Sequence, residues 1–428
     1  MCPVLLSNAK LLYDPYSLRT YADKSIYLED GIIEAVSESS TGYKTDLVID
    51  CKRKLVLPGL ANTHTHLAMT LLRGAADDLS LRDWLSKTVW PSERRMGRDH
   101  VRAGTALGLV ELIKSGVTAF ADMYFFEDAV EEETVKAGLR AHLAPAVSDG
   151  GVPASDVTDV LAMVKSKRNS NLIRWALGPH SLYSCSKETL LTVAQAKHDL
   201  NLPVHMHLAE TRWSEHRSME IYGLREVDAL ERLGLLGEDF LGAHGVWLTK
   251  QEVNKLGNYR GAVSYCPVSN MKLAEGGHPP IPEMINSGVR VSFGTDGAAS
   301  NNSLNIFETI KVGALLLRHM RWDPAVLSPA VALRMATETG YAVLGFPRHP
   351  LAPGGIGDLI TISLDTPSLQ GHPAMSVASS LVYSPPLNVE DMIVDGRPVM
   401  VERNILHLKE EKVIEDFRKA SLSLEAAS

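Results

Sequence analysis

Two histidines, His64 and His66, follow an apolar run in the stretch PGLANTHTHLAMT. If that run is a β-strand, side chains two residues apart point to the same side, so the pair aims two imidazoles at one point. Such a pair can hold a metal ion, but two surface or hydrogen-bonded histidines have the same spacing. A metal site is therefore predicted only if further ligands end neighbouring strands.

His207 and Asp296 are the further ligands that the sequence offers, since each ends another apolar, β-rich run. With His64 and His66 they supply three neutral nitrogens and one carboxylate, which suits Zn²⁺ or Fe²⁺ with one position open for water. Asp296 could instead cap the helix that follows it. A two-metal site of this type usually needs an anionic bridge, often a modified lysine, and the matching stretch LGPHSLYSCS has none. We therefore predict one divalent metal per chain, zinc before iron.

Glu210, His180 and His244 lie at or just after the same kind of strand end. At Glu210 a carboxylate can carry protons between a water and a substrate nitrogen, or it can simply favour a helix N-terminus. His244 can orient the water or stabilise a developing oxyanion, or else is a hydrogen-bonded barrel histidine. His205 is predicted to point to the other side of its strand, with a structural role. Three further histidines are predicted to lie at the surface or in loops: His142, His278 and His349.

The elements that must position these residues alternate between short apolar, β-rich runs and longer segments with helical spacing, from about residue 59 to residue 351. Such βα units predict a parallel sheet. Active-site residues of a closed (β/α)8 barrel lie at the carboxyl ends of its strands, which is where the histidines and Asp296 fall. The eight predicted strands are residues 56–62, 117–123, 141–147, 174–178, 204–207, 241–244, 262–266 and 291–295.

The two ends of the chain have a different pattern. Residues 1–58 and 353–405 contain β-rich runs around Asp30-Gly31 and Asp395-Gly396, which are strong hairpin turn signals. Each end is too short to bury a core alone, so together they are predicted to form one small β-sandwich domain beside a catalytic barrel at 59–352. Residues 406–428 are predicted to form a polar C-terminal helix and tail. The predicted fold class is therefore α/β, a metal-dependent (β/α)8 barrel with a β domain built from both ends.

Composition excludes several classes of partner. The 428-residue chain has a formal net charge of −8 and no basic cluster, so we expect no nucleic-acid and no membrane partner. No apolar run reaches the ~18 residues of a membrane span, and the N-terminal stretch lacks the pattern of a signal peptide. The 4 cysteines form no Cys-x-x-Cys pair, which favours a reducing, cytoplasmic location. A homo-oligomer is compatible with these features.

Six stretches, PGLANTHTHLAM, GPHSLYSCS, HLAET, AHGVWL, VSYCPVSNMKLA and FGTDGAASNN, resemble the amidohydrolase superfamily. More closely they resemble its 5′-methylthioadenosine/S-adenosylhomocysteine deaminase family, over nearly the whole chain. The resemblance implies a nucleoside substrate and a metal-activated water. It implies the following metal ligands: His64, His66, His207 and Asp296.

The resemblance also implies roles in the reaction. Glu210 would be the acid/base and His244 would stand beside the water, while Glu93 would grip the ribose hydroxyls and His180 would contact the substrate. The implied reaction is deamination at C6 of an adenosine derivative: 5′-methylthioadenosine, S-adenosylhomocysteine, 5′-deoxyadenosine or adenosine. Asp296 and His244 would draw the proton from the water, whose pKa the metal lowers, and Glu210 would protonate ring nitrogen N1 and help the ammonia to leave.

Other functions remain open at this point. Guanine, cytosine or triazine hydrolases of the same superfamily have similar metal motifs, and Glu210 favours ring-nitrogen protonation without selecting one ring. A barrel that has lost catalysis and acts as a scaffold should have lost ligands, whereas this chain retains the full set. The loop APAVSDGGVPASDVTD, residues 144–159, has no Arg or Lys to bind the carboxylate of S-adenosylhomocysteine. It therefore predicts a preference for a small or uncharged 5′ group.

Overall fold

The computed structural model describes residues 3–75, 77–149, 156–371, 376–384 and 388–426. Five strands lie in the N-terminal part: β1 (Val4–Asp14), β2 (Arg19–Glu29), β3 (Ile32–Ser37), β4 (Leu47–Asp50) and β5 (Lys54–Pro58). The central part contains β6 (Leu60–Thr65), β7 (Val117–Asp122), β8 (Arg140–Leu143), β9 (Ala146–Val147), β10 (Ile173–Trp175), β11 (Gly178–Pro179), β12 (Val204–Leu208), β13 (Phe240–His244), β14 (Ala262–Tyr265) and β15 (Arg290–Phe293). The C-terminal part contains β16 (Leu359–Ser363), β17 (Val389–Val394), β18 (Arg397–Val401) and β19 (Asn404–Ile405).

The helices mostly follow the central strands. They are α1 (Leu81–Trp84), α2 (Trp90–Glu93), α3 (Arg98–Ser115), α4 (Glu127–Ala137), α5 (Val157–Ser166), α6 (Lys187–Leu200), α7 (Arg212–Tyr222), α8 (Glu226–Leu233), α9 (Lys250–Asn258), α10 (Pro267–Lys272), α11 (Ile281–Asn286), α12 (Ala298–Asn301), α13 (Ile306–Arg321), α14 (Pro329–Arg334), α15 (Gly340–Val343), α16 (Val377–Tyr383) and α17 (Glu410–Ala426). Short 3₁₀ segments cover Leu67–Leu72 and Pro367–Leu369, and π-helical turns cover Leu85–Val89 and Met335–Thr339.

The central strands form the predicted barrel. They pair in parallel in the orders β6-β7-β8-β10, β9-β11 and β12-β13-β14-β15. A parallel bridge between Leu177 and Val204 links the two halves. The ring closes where the Asp296 amide donates to the His64 carbonyl at 2.9 Å, beside β15 and β6. Every residue of β6, β7, β8 and β12 is buried, as expected for parallel strands covered by helices. The predicted (β/α)8 architecture is confirmed.

The first predicted strand, 56–62, is two strands instead of one. Residues up to Pro58 belong to β5, which pairs antiparallel with β16, and β6 starts at Leu60 and pairs with β7. The chain passes from one sheet to the other at Gly59, where an added Cβ would lie 2.0 Å from Thr118 Oγ1. Only glycine therefore fits this crossing. The apolar residues continue on both sides of Gly59, so the hydrophobic pattern predicted one strand where there are two.

Strands from both ends of the chain form a second sheet, as predicted. Among the described residues its order is β19-β18-β17-β16-β5-β1-β2-β3, with β4 paired to the start of β1. The two predicted hairpin turns are present: φ is 48° and 84° at Asp30 and Gly31, and 52° and 70° at Asp395 and Gly396. Positive φ at both central residues is the signature of a type I′ turn. Buried side chains from β1, β2, β5, β16 and β17 form an apolar cluster of this sheet's own.

Helix α17 packs against α3. Lys114 Nζ lies 2.6 Å from Glu410 Oε2, and His100 Nε2 lies 2.9 Å from Ser423 Oγ, while Leu424 is buried. The C-terminal helix therefore covers the outside of the barrel up to Ala426. Within the described part of the chain, no helix has the length and apolar character needed to cross a membrane.

Two histidines predicted to lie at the surface or in loops are buried instead. His142 lies on β8, and its Nδ1 is 3.4 Å from the Leu344 carbonyl oxygen. His349 stacks on Tyr341, and its Nε2 lies 3.0 Å from the Gly59 carbonyl oxygen. Both predictions were wrong, for different reasons. His142 lies on a barrel strand, within the predicted strand 141–147, and its ring centroid is 6.1 Å from that of His205. His349 is buried because the second sheet packs against the barrel, which no local pattern encodes.

Candidate active site

The four predicted metal ligands converge at the carboxyl end of the barrel. Asp296 Oδ1 lies 3.3 Å from His66 Nε2 and 3.6 Å from His64 Nε2, and His207 Nε2 lies 3.3 Å from His66 Nε2. Two ligand atoms bound tetrahedrally to one zinc ion at their usual bond lengths are separated by about 3.4 Å. The spacing of these side chains therefore matches a single metal ion at their centre.

The outer nitrogens of the imidazoles fix which inner nitrogen carries a lone pair. His66 Nδ1 donates to the Met123 carbonyl at 2.7 Å, and His207 Nδ1 donates to the His180 carbonyl at 2.9 Å. In the neutral rings both Nε2 atoms are then unprotonated, yet they face each other across 3.3 Å beside the Asp296 carboxylate. Lone pairs and a carboxylate directed at one point require a positive charge between them, which a cation supplies.

His64 is held by a residue whose orientation the sequence prediction had wrong. His64 Nδ1 lies 2.9 Å from His205 Nε2, and among the described residues the buried His64 Nε2 has no hydrogen-bond partner. His205 was predicted to point away from the centre. It points inward because residues two apart on a strand, here His205 and His207, share a side. His205 thus orients a ligand from one layer below the metal centre.

The electrostatics of the centre favour a bound cation. Burial lowers the pKa of His64 and of His207 well below the usual value, so both rings are neutral. Burial also acts to lower the pKa of His66, but the Asp296 carboxylate raises it to about 9. Although burial raises the pKa of Asp296, its contacts with His66 and the other imidazoles hold that pKa well below its ordinary range. The ionised carboxylate therefore attracts one positive charge, which a divalent ion can supply in place of a proton.

Left-handed backbone conformations turn three of the strand ends into the site. Ala209, His244 and Asp296 have φ of 45°, 77° and 64°, which non-glycine residues rarely adopt. Backbone hydrogen bonds hold these turns: the Trp247 amide donates to the Ala209 carbonyl at 2.9 Å, and Asp296 is fixed through the His64 carbonyl. Strain of this kind is typical of functional sites, and here it turns the chain sharply at the strand ends that carry site residues.

His244 and Glu210 stand together beside the metal centre. Asn270 Nδ2 donates to His244 Nδ1 at 2.8 Å, so the proton of the neutral ring is on Nε2, which lies 3.6 Å from Glu210 Oε1. Burial lowers the pKa of His244 to about 4. Burial, together with the neighbouring Glu275 carboxyl, raises the pKa of Glu210 well above its usual value. His244 is therefore a neutral hydrogen-bond donor, and Glu210 is a carboxylic acid near neutral pH.

A cavity leads to this centre, and its lining includes four of the predicted site residues: Glu93, His180, Glu210 and Asp296. Glu93 is buried on α2, where Tyr124 donates to its Oε1 at 2.8 Å, and burial raises its pKa to about 7. His180 Nδ1 lies 2.9 Å from Ser184 Oγ, and burial lowers the pKa of the ring to about 3. The side chains predicted to contact the substrate therefore share one cavity with the metal centre.

Sequence reasoning missed three residues of this region. Tyr124 holds Glu93, Asn270 holds His244, and the buried carboxyl of Glu275 lies near Glu210. Asn270 lies on α10 and Glu275 just after it, so both follow β14 on the catalytic face of the barrel. Their position after a barrel strand was the signal that could have identified them. It was missed because β14 itself ends without a histidine or an acidic residue.

Comparisons with known proteins agree with this geometry. The model of the amidohydrolase family matches residues 55–399. A 5-methylthioadenosine/S-adenosylhomocysteine deaminase of Pyrococcus furiosus is 36% identical over 97% of this chain and 99% of its own length. A 5′-deoxyadenosine deaminase of Methanosarcina acetivorans is 38% identical over 100% of this chain and 99% of its own length.

Solved structures have the same fold. An adenosine deaminase from Xanthomonas campestris with bound zinc superposes with a TM-score of 0.94 and 29% identity, covering 99% of each chain. An atrazine chlorohydrolase from Arthrobacter aurescens, complexed with zinc, has a TM-score of 0.90 and 23% identity over 98% of this chain and 100% of its own, a likeness that concerns the fold alone. The resemblance inferred from the motifs is confirmed.

Proposed function

Because this chain belongs to the amidohydrolase family, we propose that it hydrolyses the exocyclic C–N bond of an adenosine-type nucleoside. The products are ammonia and the corresponding inosine-type nucleoside. Candidate substrates are 5′-methylthioadenosine, S-adenosylhomocysteine, 5′-deoxyadenosine and adenosine, which include the compounds in the names of its relatives. The observation that carries the proposal is the buried acid Glu210 beside a His₃Asp centre, in a cavity that also contains Glu93.

One divalent metal per chain, zinc before iron, fits this centre. His64, His66, His207 and Asp296 would hold it, since three imidazole nitrogens and one carboxylate are a common zinc ligand set with room for a water. The bound ion would lower the pKa of that water toward neutrality. The segment that follows β11, residues 180–186, contains no lysine to bridge a second metal ion, which supports a single ion.

Glu210 and Asp296 carry out the proton transfers, and His244 donates a hydrogen bond. Glu210 donates its proton to a ring nitrogen, which makes the adjacent carbon that carries the amino group electrophilic. Asp296 accepts a proton from the water as its oxygen adds to that carbon. His244 Nε2–H donates a hydrogen bond to the same oxygen and stabilises the charge that develops there. Because Asn270 occupies Nδ1 of His244, the ring serves as a donor, and Asp296 alone takes the proton of the water.

The end of the cavity near Glu93 favours a nucleoside over a free base. With Tyr124 on Oε1, the second oxygen of the Glu93 carboxylate is available to accept hydrogen bonds from sugar hydroxyls. His180 presents a neutral ring to the same cavity. A guanine or cytosine ring offers no diol for Glu93, so these alternatives, like the triazines, leave the second oxygen of this buried carboxyl without a hydrogen bond from the substrate.

The test is release of ammonia from the metal-loaded protein with each of the four nucleosides and with guanine, cytosine and a chlorotriazine. We expect activity with adenosine-type nucleosides only. Glu210→Gln is the matched variant: it should fold and retain the metal, yet turn over about 10²–10⁴ times more slowly, because an amide cannot transfer the proton. Preferred turnover of a base or triazine would overturn the substrate class, and a loss below about tenfold in Glu210→Gln would remove Glu210 from the reaction.

A further inference from the structure

A second buried carboxyl, Glu275, lies beside the proposed acid and has no role in the reaction described so far. It lies in the segment between α10 and α11. Oxygen atoms of Glu210 and Glu275 and a ring nitrogen of His244 lie within 4.8 Å of one another. The two carboxyls therefore share a small buried volume at the point where proton transfer is needed.

Neighbouring groups hold Glu275 in this position. Asn270 Nδ2 donates to Glu275 Oε2 at 2.5 Å and also to His244 Nδ1 at 2.8 Å. The Glu275 amide donates to the Asn270 carbonyl at 3.0 Å, and Trp247 Nε1 donates to the Glu275 carbonyl at 3.0 Å. The Asn270 amide thus links the second carboxyl to the ring that faces the reacting oxygen.

The surroundings of the pair do not compensate two negative charges. Among the described residues, the charged and titratable groups that face the two carboxyls are His244, Asp296, Glu226, Tyr183 and the thiol of Cys266. Among the described residues that line the cavity there is no Lys or Arg. Two carboxylates this close in a buried site repel each other, so the pair retains a proton. In agreement, burial raises the pKa of both carboxyls, and the Glu275 carboxyl raises that of Glu210 further.

We propose that Glu275 is a positioning residue that shares one proton with Glu210 and thereby keeps Glu210 in the acid form; this inference rests on the proposed deamination. In the first step the O–H bond of Glu210 breaks and an N–H bond forms at the ring nitrogen. The pair then carries two charges, and their repulsion makes Glu210 a strong acceptor. When the intermediate breaks down, Glu210 recovers a proton from the ring nitrogen or the added hydroxyl group as ammonia leaves with the proton that Asp296 returns.

The decisive variant is Glu275→Gln. Its amide can donate to the ionised Glu210 carboxylate, so the pKa of Glu210 falls and the acid form is lost at lower pH. We expect the alkaline limb of the kcat profile to move down by about one pH unit or more, with kcat on that limb reduced by about tenfold or more and KM changed little. Glu252→Gln, at another buried glutamate whose carboxylate pairs with Arg225, is the matched control and should leave the profile in place.

Infrared difference spectra give a readout that needs no turnover. At a pH between the alkaline limbs of the wild type and Glu275→Gln, the wild-type minus Glu275→Gln and the wild-type minus Glu210→Gln difference spectra of the metal-loaded proteins should each show the carbonyl stretch of one protonated carboxyl. The subtraction removes the signal of other protonated carboxyls such as Glu93. The Glu210 variant keeps the test available if Glu275→Gln does not fold. An unchanged pH profile in a folded Glu275→Gln protein, or a wild-type minus Glu210→Gln difference spectrum without the protonated-carboxyl band, would overturn the shared proton. A wild-type protein that deaminates no nucleoside would instead refute the proposed function, which the infrared comparison does not test.

Discussion

Individual buried carboxyls of this site differ in proton affinity according to their partners. Glu93 receives a hydrogen bond from Tyr124, but burial dominates and raises its pKa to about 7. Asp296 is equally buried, yet it faces the imidazoles of His66 and His64, which hold its pKa well below the usual range. The metal ligand is thus ionised at any physiological pH, whereas Glu93 titrates near neutrality.

The titration of Glu93 predicts an acid limb in substrate binding. Ionised Glu93 accepts hydrogen bonds from sugar hydroxyls, so kcat/KM should fall as the pH drops below about 7. In Glu93→Gln this limb should vanish, and kcat/KM at pH 8 should fall about 10–100-fold, as expected for the loss of one charge-assisted hydrogen bond. Tyr124→Phe removes a donor that stabilises the ionised form, so its limb should move to higher pH. An acid limb that persists unchanged in Glu93→Gln would contradict the assignment.

The ligand His207 allows a direct test of the metal centre. We expect about one divalent ion, zinc, per wild-type chain and a near-complete loss of metal and activity in His207→Ala, because each ligand is essential to a four-ligand site. His180→Ala is the matched control. The His180 ring lies against His207, but the hydrogen bond that orients this ligand goes to the His180 backbone carbonyl, which alanine keeps, so the variant should retain the metal. Elemental analysis of the wild-type protein and both variants measures the metal bound per chain. Two tightly bound ions per active chain would refute the single-metal assignment.

The segment α1–α2 is the element that shapes the cavity wall. Pro91 has no amide hydrogen, and its ring would clash with the carbonyl of residue 87 in a regular helix. The helix widens there into the π turn Leu85–Val89. Trp84 and Trp90 on either side of that turn both line the cavity, as does Glu93 at the end of α2. One proline thus lets a short segment present an apolar wall and one carboxyl together.

The lining of the cavity predicts which nucleoside is the preferred substrate. A carboxylate on the 5′ substituent would find no Lys or Arg among the described residues of the cavity, and the part of loop 144–159 outside those residues has none in its sequence either. S-adenosylhomocysteine should therefore have a kcat/KM at least about tenfold below that of 5′-methylthioadenosine, since each missing charge-assisted hydrogen bond costs about 1.5–3 kcal/mol.

A charge-supplying variant makes this comparison sharper. Ser148 lines the cavity in the loop after β9. Ser148→Arg should raise the relative kcat/KM for S-adenosylhomocysteine, whereas Ser148→Gln, of similar length but uncharged, should not. All four nucleosides are measured in one buffer. A wild-type preference for S-adenosylhomocysteine would refute the role assigned to the uncharged wall.

At the scale of the whole molecule, a buried ion pair joins the barrel to the second sheet. Arg140 on β8 donates to Asp358, just before β16, through Nε at 2.6 Å and Nη2 at 2.9 Å. Tyr341 donates to the same carboxylate at 2.7 Å, and the Asp395 amide donates at 2.8 Å. This contact joins two parts of the proposed division of the chain, which is a β domain of residues 1–58 and 353–405, a barrel at 59–352 and a C-terminal helix and tail at 406–428.

Loss of this ion pair should destabilise the whole fold. Asp358→Asn leaves the buried Arg140 guanidinium without its counter-charge, which typically costs about 3–5 kcal/mol. Asp395→Asn is the matched control, because Asp395 is partly exposed, Asn tolerates its left-handed backbone, and Arg140 keeps Asp358; it should cost under about 1 kcal/mol. Chemical denaturation of the metal-loaded protein, followed by circular dichroism, compares the midpoints. Equal midpoints for the two variants would contradict a structural role for the pair.

Local sequence patterns determined much of this protein. The spacing of His64 and His66, and the alternation of apolar runs with helical segments, predicted the metal ligands and the barrel, because strand and helix periods fix which side chains share a face. The turns at Asp30-Gly31 and Asp395-Gly396 were equally local. Since parallel barrel strands carry their functional residues at one end, the ligands could be grouped before any contact was known.

Only the tertiary structure decided which distant groups meet. The break at Gly59 and the burial of His349 between the barrel and the second sheet arise from packing between segments far apart in the chain. The inward orientation of His205 follows instead from the period of its strand, and only its contact with His64 needed the tertiary structure. Glu93 lies on a short, separate helical segment, and its presence in the cavity could be inferred only by resemblance. Glu275 reaches Glu210 because two loops converge above the barrel. Such proximities depend on how whole elements pack, and the periodicity of one element carries no information about them.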